Sequence, residues 1–141
     1  MPTKTRSSNV SHFINVDFEI RSATNLHPLV AALGKRVSVL FDARHKRTYY
    51  ACLEIAGMAK DADSTIRKFC GLIDSLPPAQ RKLWKTAKAR DFNIGIQAEN
   101  QPYCSVFLLS AETVRTVSSL GGCILFTVYA PDSTSPVSAE N

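Results

Sequence analysis

A chain of 141 residues with 45% hydrophobic and 21% charged residues is about one domain long, carries enough apolar content for a core and is too balanced for general disorder. Its formal charge of +5 favours acidic partners, and its four cysteines, each inside an apolar run, lack the paired spacing of metal ligands and are expected to be buried thiols. No apolar run approaches the roughly 18 residues that cross a bilayer, and no secretory h-region follows Met1, so a reducing cytoplasm without membrane association is expected.

Residues 1–11 are polar and basic, with Lys4 and Arg6, and read as a flexible arm; residues 132–141 read as a disordered tail, leaving a single domain over 12–131. From His12 to Arg21 the pattern alternates. Ile14, Val16, Phe18 and Ile20 form a core face, and Asn15, Asp17, Glu19 and Arg21 a wet one. Asn25 caps a short helix whose Leu26, Leu29, Val30 and Leu33 line one side before Gly34 ends it. Val37, Val39 and Phe41 begin a second strand and Tyr49, Ala51, Leu53 and Ile55 a third, with the polar segment Asp42 to Arg47 as the hairpin connection.

The clearest amphipathic helix runs from Asp63 to Leu76. Ile66, Phe69, Cys70, Ile73 and Leu76 make its apolar stripe, and Asp63 or Ser64 can cap it. Pro77 and Pro78 break it, and a second helix from Pro78 to about Ala89 buries Leu83, Trp84 and Ala87 while exposing Arg81, Lys82, Lys85 and Lys88. Phe92, Ile94, Ile96 and Ala98 predict a fourth strand, and Tyr103 to Leu109 a strand completing a second hairpin. Ser110 caps a last helix with Leu109 and Val114 spaced as a hydrophobic staple, and Gly121-Gly122 stop it. Cys123 to Ala130 is apolar on both faces and is expected to lie centrally in the sheet. The order β-α-β-β-α-(α)-β-β-α-β predicts an α+β fold, a ferredoxin-like two-layer sandwich with a mostly antiparallel sheet and helices on one face.

The "NLHPLVAALG" helix and the terminal "LSAETVRTVSSLGGCILFTVYAP" segment resemble the uncharacterised bacterial family labelled domain of unknown function 4279. In that family a Leu-Ser-x-Glu start opens a late helix ending in Leu-Gly before a strand that closes on Tyr. Here those positions are Leu109, Ser110, Glu112, Leu120, Gly121 and Tyr129, and the resemblance spans residues 13–131. The Arg44 to Arg47 tip and the double proline depart from it. The resemblance implies a small bacterial α+β protein of unknown role, with immunity or interaction functions among its relatives, and implies no catalytic residue.

No residue pattern predicts catalysis. The three histidines, His12, His27 and His45, occupy a strand start, a first helical turn and a hairpin tip, and neither Cys70 nor Cys104 carries the local signature of a nucleophile. Asp17 and Glu19 share a row with Asn15 and Arg21, which reads as a solvated strand face. No phosphate-binding glycine motif occurs, and no cofactor or metal is expected. The expectation is a non-enzymatic, immunity- or inhibitor-like interaction module that binds another protein through the row Asn15, Asp17, Glu19 and Arg21. The alternative is a nucleic-acid binder using Arg44, Lys46, Arg47, Arg81, Lys82 and Lys85, with Tyr49 and Tyr50 beside the first three as stacking surface. Sheet edges also allow a homodimer.

Overall fold

A computed structural model describes residues 10–132. Its elements are β1 (His12–Ser22), α1 (His27–Leu33), a 3-10 turn (Gly34–Arg36), β2 (Val37–His45), β3 (Thr48–Ile55), α2 (Ala62–Asp74), α3 (Pro78–Thr86), β4 (Ala89–Gln97), α4 (Ala111–Ser119) and β5 (Cys123–Tyr129). The α+β class holds, with four helices on a five-stranded mixed sheet in the order β2-β3-β1-β4-β5. The β2–β3, β3–β1 and β1–β4 pairings are antiparallel, whereas α4 carries the chain back over the sheet so that β5 runs parallel to β4. The arm and tail predicted at the two ends fall, over residues 1–9 and 133–141, outside the described residues; Val10 and Ser11 bridge to Gln101, and the Ser11 hydroxyl donates to the Glu99 carbonyl.

The α2 stripe packs as its spacing predicts. Ile66, Phe69 and Ile73 are fully buried, Cys70 and Leu76 nearly so, and they join Val16, Phe18, Ile20, Leu53, Phe92 and Ile94 from one face of the sheet in a continuous core. At its centre the Phe18 and Phe69 rings stack with centroids 3.5 Å apart, and Phe92 meets both edge-on. Trp84 of α3 closes this group and donates its indole N–H to the Leu120 carbonyl at 3.0 Å. The Arg90 guanidinium donates to the carbonyls of Trp84, Lys85 and Gly121, and so ties the end of α3 to the α4–β5 turn.

Five expectations need correction. Asp61, not Asp63 or Ser64, caps α2 by accepting the Ser64 N–H at 2.7 Å. Asp63 reaches outward to accept the Ser110 N–H at 2.8 Å, where α4 begins. In β1 a bulge between Phe13 and Asn15, held by the Asn15 side chain accepting the Val16 N–H, turns Phe13 inward and leaves Ile14 46% exposed on the opposite side. The strand expected at Tyr103 to Leu109 is irregular and largely exposed, because β4 is already flanked by β1 and β5 and offers it no free edge. For the same reason β5 is an edge strand and not a central one. Among the cysteines Cys52 and Cys70 are buried, but Cys104 in that irregular segment and Cys123 on β5 are exposed, and all are free thiols.

Asp63 provides a pH-dependent joint between α2 and α4. Its carboxyl is held below the ordinary 3.8, first by the Ser110 backbone N–H and then by the Thr113 hydroxyl, with Arg67 adding a minor pull. A depressed carboxylate contributes stability that is present above its unfolded value and lost as pH falls through the folded one. Asp63→Ala should therefore cost about 1–2 kcal/mol at neutral pH. Urea midpoints of mutant and parent should converge as the pH drops below that ordinary value of 3.8.

Candidate functional site

The sheet face turned away from the core is where the sequence row Asn15, Asp17, Glu19 and Arg21 lies. Cross-strand register surrounds it: Glu19 sits between Cys52 of β3 and Asp91 of β4, Arg21 between Tyr50 and Ala89, Asp17 opposite Asn93 and Asn15 opposite Gly95. The alternation that buries Ala51, Leu53 and Ile55 sends Tyr50, Cys52 and Glu54 to this side. The result in a chain of net charge +5 is a local acidic face built from Asp17, Glu19, Glu54 and Asp91. None of the ion pairs among the described residues involves these carboxylates.

Two hollows mark the face. One of about 240 Å³ is lined by Ile14, Asn15, Asp17, Glu54, Asn93, Gly95, Thr127 and Tyr129; a smaller one of about 130 Å³ lies between Glu19, Arg21, Phe41, Tyr50 and Asp91. Ile14 and Phe41 reach this side only because of bulges, at Ile14 in β1 and between Val39 and Phe41 in β2. Burial, followed by hydrogen bonding to Glu54 and its charge, pushes Asp17 up to about 6. Asp17 thus keeps its proton over a range in which ordinary carboxylates are ionised. Glu19 is held from the other side, where Asn93 donates to its Oε1 at 3.2 Å and Thr127 donates to Asn93 Oδ1 at 2.7 Å. Cys52 lies against Asp17 and Glu19, one ligand atom from each within 4.8 Å of the others. Burial and the Asp17, Glu19 and Glu54 charges push its thiol up to about 12.

The basic residues do not form a comparable cluster. Arg44, Lys46 and Arg47 sit at the tight β2–β3 turn, where Arg44 donates to the Lys46 carbonyl and lies 5.4 Å over the Tyr49 ring. Arg81, Lys82 and Lys85 line a separate hollow of about 360 Å³ with Pro78 on α3, and Arg81 is paired with Asp74 at 3.6 Å. Among the described residues no hydrogen bond or ion pair joins the two groups.

The β5 edge is a surface that the sequence reading placed in the interior. Leu125, Phe126, Val128 and Tyr129 are 36–59% exposed, and Val106 and Leu108 in the preceding irregular segment are more so. The opposite edge, β2, is broken by its bulge and carries Asp42, Arg44 and His45. By contrast β5 keeps an unbroken register and has no charge, proline or bulge. The only signal in the sequence was a strand apolar on both faces, which a central position and a docking edge satisfy equally. No helix of the described residues is long and apolar enough to cross a membrane. No family model, curated protein or solved structure matches the chain, so what these surfaces can do follows from their own residues.

Proposed function

We propose that this chain is a non-enzymatic protein-interaction module, which takes a strand of its protein partner alongside β5. The observation that carries the reading is the unprotected edge: seven residues, Cys123–Tyr129, apolar on both faces, with backbone groups on one side that no strand among the described residues pairs. Soluble proteins blunt such edges when they are not used, and this one blunts only β2. Strand addition supplies main-chain hydrogen bonds, and Phe126 and Val128 on one side with Leu125 and Tyr129 on the other supply selectivity. On this reading β2-β3-β1-β4 is a ferredoxin-like sandwich to which β5 adds a parallel strand. An immunity- or inhibitor-like role in the cytoplasm accords with it, and self-pairing of β5 across a two-fold axis is its simplest homodimeric form. The non-catalytic part rests on the larger hollow of the acidic face, which none of the histidines lines.

The test is affinity capture of the tagged chain from lysate of its source, with and without nuclease, beside sedimentation of the purified chain over a wide concentration range. Phe126→Lys with Val128→Lys should weaken the partner complex or the self-associated form at least about tenfold while leaving stability within about 0.5 kcal/mol, as surface changes do. Undiminished association of the double variant sinks the reading. A second reading, nucleic-acid binding, is favoured by the Arg81, Lys82 and Lys85 hollow and by Arg44 over Tyr49. It requires binding that vanishes with nuclease and weakens steeply with salt, whereas an apolar strand interface is less salt-sensitive.

A further inference from the structure

The geometry points to a cation site on the open sheet face, at which the Asp17 and Glu19 carboxylates and the Cys52 thiolate bind a thiophilic divalent metal ion of the zinc class. Glu19 and Cys52 are directly paired residues on neighbouring strands, and Asp17 stands two residues along β1 on the same face, so the three side chains converge on one point above the sheet. Their ligand atoms all lie within 4.8 Å of one another. Ligands of one zinc ion, bonded at about 2.0–2.3 Å, lie no more than roughly 4.5 Å apart, so small side-chain rotations close the site.

Acidic residues on a strand face are common, and the cysteine distinguishes this group. Cys52 is only 4% exposed, its sulfur makes no hydrogen bond among the described residues, and it is turned to the polar face between two carboxylates instead of into the core with Ala51 and Leu53. An ordinary buried cysteine packs as a small hydrophobe. Among the described residues neither Asp17 nor Glu19 beside it forms an ion pair with a lysine, arginine or histidine. A divalent ion supplies the missing countercharge.

The surroundings are arranged as outer-shell support. The Thr127 to Asn93 to Glu19 hydrogen-bond chain fixes one ligand. The sulfur excludes magnesium and calcium, which prefer all-oxygen sites, and selects zinc or its neighbours. Binding forms a metal–sulfur bond as the thiol S–H breaks, and that proton passes to solvent. Three protein ligands leave a position open towards the solvent side. The three ligands lie on β1 and β3, and β5 reaches the site only through the Thr127 hydroxyl, so either inference can fail without the other.

The test uses the full chain, stripped with chelator, and titrated with Co²⁺ as the spectroscopic probe and then with Zn²⁺ as competitor. One equivalent of Co²⁺ should give thiolate-to-cobalt charge-transfer absorption that Zn²⁺ abolishes. The band should survive Cys104→Ser with Cys123→Ser, which removes the exposed thiols, and disappear in Cys52→Ser. Because Cys52 is buried, Glu19→Gln is read in parallel: it should keep the circular dichroism of the parent and weaken binding at least about tenfold, the scale on which even outer-shell changes act. Absence of the band, its persistence in Cys52→Ser, its loss with the exposed thiols, or parental affinity in Glu19→Gln each overturns the site.

Discussion

Phe69→Ala should lower the unfolding free energy by about 3–5 kcal/mol, the upper end for a buried aromatic truncation. The ring is fully buried and meets three others, one each from β1, α3 and β4. Its stack on Phe18 is nearly face to face, at 7° and 3.5 Å, an arrangement that the ring quadrupoles alone disfavour against an offset or edge-on pair. The dense packing around it therefore holds the pair. Phe18, Phe92 and Trp84 come from three separate elements, and none can move into the vacated space without dragging its own strand or helix. Urea unfolding, followed by Trp84 fluorescence, gives the measurement. A loss under about 1.5 kcal/mol, the range of a volume-conserving swap, would mean that the core repacks freely and that the ring cluster is not its centre.

Gly122→Ala should cost about 2–3 kcal/mol through overpacking, more than Gly121→Ala next to it. A Cβ on Gly122 meets Phe92 Cε2 at 2.5 Å and Val117 Cγ1 at 3.1 Å, and Phe92 is wedged among Phe18, Phe69 and Trp84. At Gly121 the difficulty is different: φ is +72°, and the nearest atom is the end of the Arg90 side chain. Alanine there costs about 1–2 kcal/mol for a left-handed backbone, and the Cβ meets the end of a long side chain, which can shift within its hydrogen bonds, instead of a packed ring. Comparing the two urea midpoints separates space from conformation, and the reverse ranking would show that the Phe92 ring yields.

Both positions illustrate how much the sequence discloses. The i, i+3, i+4, i+7 stripe of α2 requires an apolar face to cover, so Phe69 was legible as core, and the glycine pair was legible as a helix stop. That Gly122 also admits the Phe92 ring was not, because the contact depends on how β4 and β5 lie side by side. The same limit governed the candidate sites. Alternation sends Asp17, Glu19, Cys52 and Glu54 outward, but only the β1–β3 register puts Cys52 opposite Glu19. Reading Asp17 and Glu19 as a plain wet face omitted the strand beside them. Local pattern cannot see a bulge either: one extra residue in β1 moved Ile14 from the expected core face to the rim of a hollow. At β5 and at Tyr103 to Leu109 hydrophobicity was read as burial, although both segments expose apolar side chains.

The Arg90 clamp and the parallel last strand bear on the order in which the chain is completed during synthesis. Once Gln97 has emerged from the ribosome, β2, β3, β1 and β4 can pair, and β4 is then the open rim of the sheet. The ribosome adds about 5–20 residues per second, so the nascent chain spends seconds with that rim bare before α4 and β5 arrive. Trp84 and Arg90 lie upstream of the late segment and are waiting for it, with donors aimed at the Leu120 and Gly121 carbonyls. When the final crossover docks on them it does not abolish the open rim but hands it one strand outward, from β4 to β5.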